Sequence, residues 1–461
     1  MADFIHSLQE FVWGSGMLVF FLGAGIYFTI QSGFFQITKI QIWIKNTIGV
    51  LKKGKNTKDF KENISVTQFQ SFCTALAATL GTGNITGVAT ALMFGGPGAI
   101  FWMWVSAFFG MMTTYAENFL GIKYRYKDEK GQWKGGAMVY MERGLGCKPL
   151  AIVFAVCCLG ASFGMGNMVQ GNSMAVGLEK AFHIPAFISG SFCMIAVAVV
   201  LTGGTKRIAI LTEKLVPFMA AIYLVGAIIV LFFYRDKIVG AFGLIFQDAF
   251  HTSAAVGGIS GYGVKQAVRM GIARGIFSNE AGLGSSVMAH AQSDVEDARI
   301  QGMWGILEVF IDTILVCTVT ALVILVSGVP YYQVDRVDGT TLTGMAFASV
   351  LPWGKEFLAG ATALFAFATM IGWSYFGTQT ADYLAGEKGV KVYRLFYILI
   401  TLPGCMIAPI MIWELSDTLN GMMAIPNLLS LFFLRKEVEY MMKEKNRNNC
   451  IKNKNYHTKT W

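Results

Sequence analysis

One apolar segment, roughly residues 68–93, is long enough to cross a bilayer but carries Gly81, Thr82, Gly83 and Asn84 at its centre. Two glycines in a helix interior cost about 1 kcal/mol each relative to alanine. Asn84 adds a polar amide at membrane depth, where irregular backbone is tolerated only if it lines a cavity or is buried in protein. The pattern predicts a helix broken at its centre, with the break facing a ligand.

A second apolar segment has the same character and reads GIARGIFSNEAGLGSS from Gly271 to Ser286. Two interrupted spans far apart in sequence are typical of transporters built from two structural repeats. We therefore predict an all-α integral membrane protein with about 11 transmembrane helices. One extra N-terminal helix precedes two inverted five-helix repeats, each of which begins with an interrupted helix.

The composition agrees with a polytopic membrane protein. The chain is 54% hydrophobic and 14% charged, whereas about a quarter of the residues of a soluble domain are charged. The net charge of +9 is then expected to come from basic cytoplasmic loops rather than from a nucleic-acid surface. Most of the eight cysteines lie in apolar runs and are interpreted as packing residues.

The hydropathy pattern divides the chain into a series of spans and domains. Apolar runs predict spans at about 14–35, 68–93, 97–118, 150–176, 185–202, 211–233, 266–290, 303–327, 358–384, 393–413 and 417–434. The predicted domains are an extracellular N-terminus with the extra helix and a basic cytoplasmic loop (1–67), the first repeat (68–234), an extracellular connection (235–265), the second repeat (266–434) and a basic cytoplasmic tail (435–461).

The distribution of Lys and Arg predicts the orientation in the membrane. Most of the 37 basic residues fall in the segments 36–67, 118–149, 203–214, 385–395 and 435–461. Cytoplasmic loops carry such an excess, which places the N-terminus outside and the C-terminus inside a cell membrane, either inner or plasma. In the tail we expect a short interfacial helix followed by disorder.

The first break offers two kinds of ligand group. The helix half that restarts there presents unpaired N–H groups at a positive dipole end, which suits a carboxylate. The half that stops leaves the carbonyls of Ala77, Ala78 and Leu80 free for a small cation. The alternative is a glycine-packed helix crossing, which is common in membranes.

The second break adds Phe277, Ser278, Asn279 and Glu280. Its unwound carbonyls could accept an ammonium group. Glu280 is an ionisable group near the membrane middle, which makes it a functional candidate. The alternative is a structural carboxyl that binds freed backbone amides.

Two later spans present polar stripes at helical spacing. The first comprises Phe163, Asn167, Gln170 and Met174, and the second comprises Thr362, Ala366, Thr369, Trp373 and Gly377. A threonine hydroxyl is a good ligand for Na⁺, and Trp373 is large enough to form the wall of a pocket. The alternative for Gln170 is a helix–helix contact, and the alternative for Trp373, which the spacing alone favours, is core packing.

Glu117, Glu308 and Asp312 are further carboxyls within the predicted spans. Carboxyls at this depth can carry protons or cations. Pairing of Glu308 and Asp312 with Arg269 or Arg274 is the alternative.

Several motifs together resemble the alanine or glycine:cation symporter family, that is, sodium:alanine symporters. They are FQSFCTALAATLGTGNITGVATAL, GGPGAIFWMWVSAFFGMMTTYAENFLGIKYR, KGGAMVYMERGLG, GIFSNEAGLGS and MIGWSYFG. The resemblance spans about residues 15–435. It implies a leucine-transporter-type fold and Na⁺- or H⁺-coupled uptake of alanine or glycine, with D-alanine for some members.

The resemblance also implies site residues. It assigns substrate binding to Gly81, Thr82, Gly83, Asn84, Gln170, Phe277, Asn279, Thr369 and Trp373. It assigns the cation to Ala77, Leu80, Thr369 and Ser374.

The sequence therefore predicts a secondary symporter that works by alternating access, with Na⁺ as the coupling ion, or H⁺ as the alternative, and no other cofactor. The expected partners are the amino acid, Na⁺ and the lipid bilayer, with no nucleic acid, and we expect a monomer. A channel would need a repeated filter motif, and a zinc-dependent enzyme would need a motif such as HExxH; the sequence contains neither. A different small amino acid on the same fold stays open.

Overall fold

A computed structural model describes residues 2–52, 66–250, 260–332, 339–407 and 409–456. The helices of its first half are α1 (Ala2–Val12), α2 (Ser15–Gln31), α3 (Phe35–Thr38), α4 (Ile40–Asn46), α5 (Ile48–Lys52), α6 (Gln68–Thr79), α7 (Thr86–Gly95), α8 (Gly98–Tyr124), α9 (Ala137–Arg143), α10 (Lys148–Phe163), α11 (Gln170–Phe182), α12 (Ala186–Thr202), α13 (Gly204–Phe233) and α14 (Ile238–Phe250). The strands β1 (Tyr126–Lys127) and β2 (Trp133–Lys134) form an antiparallel hairpin.

The second half is also helical where it is described. Its helices are α15 (Ser260–Asn279), α16 (Val287–His290), α17 (Ala298–Val309), α18 (Thr318–Ser327), α19 (Gly339–Ala348), α20 (Gly354–Met406) and α21 (Pro409–Tyr456). Short 3₁₀ turns cover Thr82–Asn84 and Arg235–Lys237, and π-helical segments cover Gly164–Val169 and Phe310–Cys317.

The predicted interruption of the first repeat is present. A capping box starts α6, because the Thr67 hydroxyl accepts from the Gln70 amide while the Gln70 side chain accepts from the Thr67 amide. The helix ends at Thr79, and the chain resumes as Thr82–Gly95 at an angle of 58°. The apolar segment is therefore two short helices joined at a bend.

The apolar helices fit a multi-pass membrane protein. Among the described residues, six helices are long and apolar enough to cross a bilayer, and the bent pair raises that number to seven. One of the six, α20, covers two predicted spans, and Gly386 within it has φ 61° and ψ −155°, outside helical geometry. Our span count of eleven and the repeat boundaries stay predictions.

The helices pack in two groups. The broken helices α6–α7 and α15–α16 pack with α8 and α17, while α10, α11 and α12 pack along α20. The two groups meet closely where α6 ends, since a Cβ added to Gly372 of α20 would lie 2.6 Å from the Ala78 amide nitrogen. This close approach brings α20 to the first break.

Some structure lies outside the predicted spans. The hairpin β1–β2 and α9 occupy the segment predicted as a cytoplasmic loop, and α14 lies in the predicted extracellular connection. Helix α21 continues to Tyr456, where we expected only a short interfacial helix after residue 434.

Candidate functional site

The first break is held by hydrogen bonds from side chains to its backbone. The Gly81 amide donates to Asn84 Oδ1 at 2.9 Å, and the Thr82 amide donates to Gln170 Oε1 at 3.3 Å. Gln170 is fixed in turn, because its Nε2 donates to the Met165 carbonyl at 3.1 Å. The amides that were predicted to face a carboxylate therefore bind neutral amide oxygens here.

The end of α6 presents the predicted carbonyls to α20. Thr369 Oγ1 donates to the Ala77 carbonyl at 3.0 Å and lies 3.2 Å from the Leu80 carbonyl. All three residues are fully buried. The Ser374 hydroxyl instead donates to the Ile371 carbonyl of its own helix at 2.7 Å. Three of the four predicted cation ligands thus come together, and Ser374 turns away from them.

Gly81 lies at the closest contact between the first break and its neighbours. A Cβ at this position would lie 2.5 Å from Thr369 Oγ1 and 3.2 Å from Gln170 Oε1. Its φ of −136° is open to any residue. Glycine is therefore required at this position because a side chain would not fit, and not because the backbone conformation excludes other residues.

Asp312 connects the two breaks. Its Oδ1 accepts from Asn84 Nδ2 at 2.7 Å, and its Oδ2 accepts from Ser278 Oγ at 2.8 Å and from Thr313 Oγ1 at 2.7 Å. Asn279 Nδ2 donates to Thr313 Oγ1 at 3.1 Å and extends the chain of bonds into the second break. One fully buried carboxyl therefore links Asn84 with Ser278 and Asn279.

The second break has an unusual backbone. Helix α15 ends at Asn279, and Glu280, Gly282 and Gly284 follow with φ of 57°, 92° and 74°. The left-handed conformation costs an L-residue such as Glu280 roughly 1–2 kcal/mol. The Gly284 amide is satisfied by Glu117 Oε1 at 3.0 Å. Glu117 thus has the role that we considered as the alternative for Glu280, because it binds a freed backbone amide.

Glu280 contacts the other helix group. Its Oε1 accepts from Trp373 Nε1 at 3.0 Å, and its Oε2 accepts from the Ser285 hydroxyl. Glu280 is 2% exposed and Trp373 is 0% exposed. The bond joins the second break to α20 inside the protein.

The predicted stripe of α10 and α11 is divided by the π-helical segment. Asn167 Nδ2 donates to the Tyr397 carbonyl at 2.8 Å, whereas Gln170 faces Gly81 in the first break. The extra residue in the π-helix changes the register. The assumption of one helical face was wrong, although Gln170 itself reaches the first break.

The remaining buried carboxyls do not pair with arginine in the predicted way. Glu308 Oε2 lies 2.9 Å from His290 Nε2, and Gln301 Nε2 lies 2.5 Å from His290 Nδ1. Arg274 instead lies 3.3 Å from Asp417 Oδ2, and its guanidinium is 5.4 Å from the centre of the Phe277 ring. The sequence offered no spacing that would have found the Glu308–His290 and Arg274–Asp417 pairs, because the partners lie on separate helices.

A polar cavity of about 1210 Å³ opens at one end of the helix groups. We call it the vestibule; its lining includes Gln70, Lys134, Gln292, Tyr375, Thr378 and Asp382. Along α20, Trp373 lies between Thr369 at the first break and Tyr375 at the vestibule. The vestibule therefore approaches the site from the side of Trp373.

An ion pair spans the vestibule wall. Lys134 of β2 lies 2.6 Å from Asp382 of α20 and 3.4 Å from Asp128. Burial lowers the pKa of Lys134, but the hydrogen bond and charge of Asp382 together with the charge of Asp128 outweigh it and leave that pKa above its ordinary value. The pair fixes the hairpin to the helix that carries Thr369 and Trp373.

The structure thus brings most predicted site residues to the two breaks. Gly81, Thr82, Asn84, Gln170 and Thr369 are joined by contacts at the first break. A Cβ on Gly83 would lie 3.6 Å from the Phe277 ring, and Asn279 connects through Thr313 and Asp312. Sequence reasoning missed Thr313 and Gly166 as parts of this region. The Asn84 amide in an apolar span gave the signal that a buried polar partner had to exist.

A broken-helix fold with a polar site at the breaks defines a class of secondary transporters. The fold matches that of a crystal structure of MhsT in complex with L-phenylalanine, with a TM-score of 0.56, 14% identity, and 79% of this chain and 89% of the other covered. It also matches a manganese transporter of Eremococcus coleocola with a TM-score of 0.51, 13% identity, and 80% and 79% covered. These are transporters of the leucine-transporter type.

Residues 1–459 match the Sodium:alanine symporter family, and the chain belongs to it. It is 41% identical to the sodium/alanine symporter AgcS of Methanococcus maripaludis, over 93% of this chain and 94% of that one. It is 36% identical to the probable sodium/glutamine symporter GlnT of Bacillus subtilis, over 95% and 89%. It is 34% identical to the putative sodium/proton-dependent alanine carrier protein YrbD of the same species, over 96% and 92%. The prediction of a membrane transporter rather than an enzyme is confirmed by this family membership.

Proposed function

We propose that the chain imports glycine or alanine, the latter in its L or D form, together with Na⁺ by alternating access. The observation that carries the proposal is the meeting of Thr369 Oγ1 with the Ala77 and Leu80 carbonyls beside the first break. All the groups that we assign to the amino acid and to the cation come from one chain, which supports a monomer as the working unit.

The substrate carboxylate is proposed to bind at the first break. The Thr82 amide now binds the Gln170 amide oxygen at 3.3 Å, and a carboxylate is a stronger acceptor than a neutral amide. Substrate binding would displace Gln170 Oε1 from Thr82 and leave Gln170 to bind the incoming molecule. The carbonyls and Asn279 of the second break would then face the ammonium group, and Phe277 and Trp373 would enclose the side chain.

Na⁺ is proposed to bind between the end of α6 and α20. Carbonyl oxygens at a helix C-terminal end lie at the negative end of its dipole and suit a small cation. When the Thr369 hydroxyl turns its hydrogen away, its oxygen and the Ala77 and Leu80 carbonyls converge as ligands. Ser374 joins them only in another rotamer, because its hydroxyl now binds the Ile371 carbonyl.

Uptake into proteoliposomes tests the substrate and the ion together. An inward Na⁺ gradient is expected to drive concentrative uptake of labelled alanine, and glycine is expected to compete. If uptake needs only a proton gradient, the coupling ion is H⁺ rather than Na⁺. If glutamine alone is transported, the assignment of alanine and glycine is wrong.

The cation site is tested by Thr369→Val, which removes the hydroxyl at almost constant volume. The half-saturating Na⁺ concentration is expected to rise at least about tenfold, the effect of roughly 1.4 kcal/mol. Thr362→Val is the matched control, because Thr362 is buried on the same helix and its hydroxyl has no hydrogen-bond partner among the described residues. If both variants have the same half-saturating Na⁺ concentration, Thr369 does not bind the cation.

We propose that the vestibule faces the cytoplasm. The support is its basic lining, which includes Lys127, Lys130, Lys134, Lys206 and Arg394, since basic residues are enriched on the cytoplasmic side. A cysteine placed at Lys130 is expected to react with an impermeant maleimide in inside-out vesicles but not in intact cells, with the wild-type chain as background. Labelling in intact cells would mean that the vestibule faces the outside of the cell instead.

A further inference from the structure

We propose that Glu280 is a positioning residue that fixes the Trp373 indole and thereby sets the largest substrate side chain that the site accepts. The inference rests on the proposed function for the substrate class, whereas the positioning of the indole stands on contacts within the chain. We left two roles open for Glu280 from the sequence, and the geometry assigns it a third.

Both oxygens of Glu280 are engaged inside the protein. One accepts from the Trp373 indole nitrogen at 3.0 Å, and the other accepts from the Ser285 hydroxyl. The backbone of Glu280 is left-handed, with φ 57°, and this conformation lies directly after the end of α15. The carboxyl is therefore held by the second break itself and reaches across to α20.

The opposite side of the indole is closed by Gly166 of the π-helical segment. A Cβ at Gly166 would lie 2.4 Å from Trp373 Cβ and 2.5 Å from its Cγ. The Phe376 ring packs edge-on at 5.5 Å between centroids. Trp373 is thus restricted near its Cβ by Gly166 and at its nitrogen by Glu280, so that its rotamer is determined at both ends.

The position of the indole relative to the first break follows from the packing of two helices. Gln170 and Thr369 both face Gly81. Gly166 lies four residues before Gln170, and Trp373 lies four residues after Thr369; these two residues also face each other. Four residues make about one helical turn. The indole therefore lies one turn from the Gly81 contact, toward the vestibule, where a small substrate would meet it as a wall.

A wall of this kind explains selection for small substrates. A pocket gains only a modest amount per methylene, so larger amino acids must be rejected by sterically fixed groups. A tryptophan free to change rotamer would give way to a larger side chain. The hydrogen bond to Glu280 removes that freedom.

The position of the indole is tested directly by ¹⁹F NMR of protein labelled with 5-fluorotryptophan, in which Trp373→Phe identifies the Trp373 resonance. In Glu280→Ala this resonance is expected to shift and broaden. In Glu280→Gln it is expected to stay near its wild-type position, because the glutamine oxygen still accepts from the indole nitrogen. An unchanged Trp373 resonance in Glu280→Ala would overturn the proposal.

The size limit is tested by the preference for alanine over 2-aminobutyrate, which has one more methylene. In Glu280→Ala this preference is expected to fall by about tenfold, while Glu280→Gln keeps it. Gly166→Ala displaces the indole without touching Glu280 and is expected to change the same ratio. If Glu280→Ala only lowers the maximal rate and keeps the ratio, Glu280 has a structural role alone and the proposal fails.

The two readouts separate this inference from the proposed function. If wild-type protein transports neither alanine nor glycine but another amino acid, the substrate assignment fails, and the size ratio is measured on that amino acid and its next larger homologue. If alanine is transported and Glu280→Ala changes neither the resonance nor the ratio, the proposed function stands and the role of Glu280 is refuted.

Discussion

Replacement of Gly81 with alanine is expected to lower alanine uptake by about 100-fold or more, the effect of an ångström-scale displacement at a binding site. The new methyl group would lie 2.5 Å from Thr369 Oγ1 and 3.2 Å from Gln170 Oε1. Thr369 cannot move away without leaving the Ala77 and Leu80 carbonyls. The change therefore disturbs the proposed carboxylate and cation sites together, and it is measured as initial uptake in proteoliposomes at saturating Na⁺.

Gly87→Ala is the matched control for this variant. Gly87 lies in α7 of the same broken helix, and a Cβ there would meet nothing within 4 Å. Alanine is favoured over glycine in a helix, so this variant is expected to keep both uptake and thermal stability. If Gly81→Ala protein folds and transports like Gly87→Ala protein, the first break accommodates a methyl group and is not the substrate-binding site.

Replacement of Asp312 with alanine is expected to have the largest effect on stability. It removes the carboxylate that now accepts from Asn84 Nδ2, Ser278 Oγ and Thr313 Oγ1, while Asn84 Nδ2 still contacts the Asp312 carbonyl at 3.1 Å and Ser278 Oγ at 3.0 Å. Each buried donor left unsatisfied costs about 1–3 kcal/mol. A large fall in the melting temperature of the detergent-solubilised protein is expected, together with the loss of uptake, because the two breaks lose the carboxyl that both of them bind.

A double-mutant cycle with Asn84→Ala separates this linkage from a general loss of folding. Residues in direct contact show coupling energies of about 0.5–3 kcal/mol, so the double variant is expected to be less destabilised than the two single changes added together. Additive effects would mean that Asp312 and Asn84 do not act through their 2.7 Å contact. Asp417→Asn serves as a comparison, since Asp417 is a buried carboxyl that pairs with Arg274 instead of with Asn84 or Ser278.

The sequence predicted the broken helices well because their cause is local. Glycines and an amide in the middle of an apolar span have no stable place in a continuous lipid-facing helix, and the first half ends at Thr79 as that pattern requires. Positions that depend on helix register were predicted less well. Asn167 and Gln170 face different helices because a π-helical segment inserts between α10 and α11, and hydropathy carries no signal for it.

The hydrogen-bond partners of the buried carboxyls could not be predicted from the sequence either. Glu308 and Asp312 have the i, i+4 spacing of one helical face, yet Glu308 binds His290 and Asp312 binds Asn84 and Ser278. The second π-helical segment begins between these two carboxyls. Arginine appeared an equally good partner for either of them, because spacing along one helix says nothing about what an adjacent helix presents.

The sequence by itself determined that this chain crosses a membrane as apolar helices, that two of them are broken, and that the first break frees backbone amides and carbonyls from their helix. These properties follow from transfer energies and local backbone preferences, which act over one or two helical turns. Only the tertiary structure decided that Thr369 meets the Ala77 and Leu80 carbonyls, that Asp312 links the two breaks, and that Glu280 holds Trp373. Those contacts join residues that are far apart in the chain, and the close packing of small residues such as Gly81, Gly166 and Gly372 determines which side chains come within hydrogen-bonding distance.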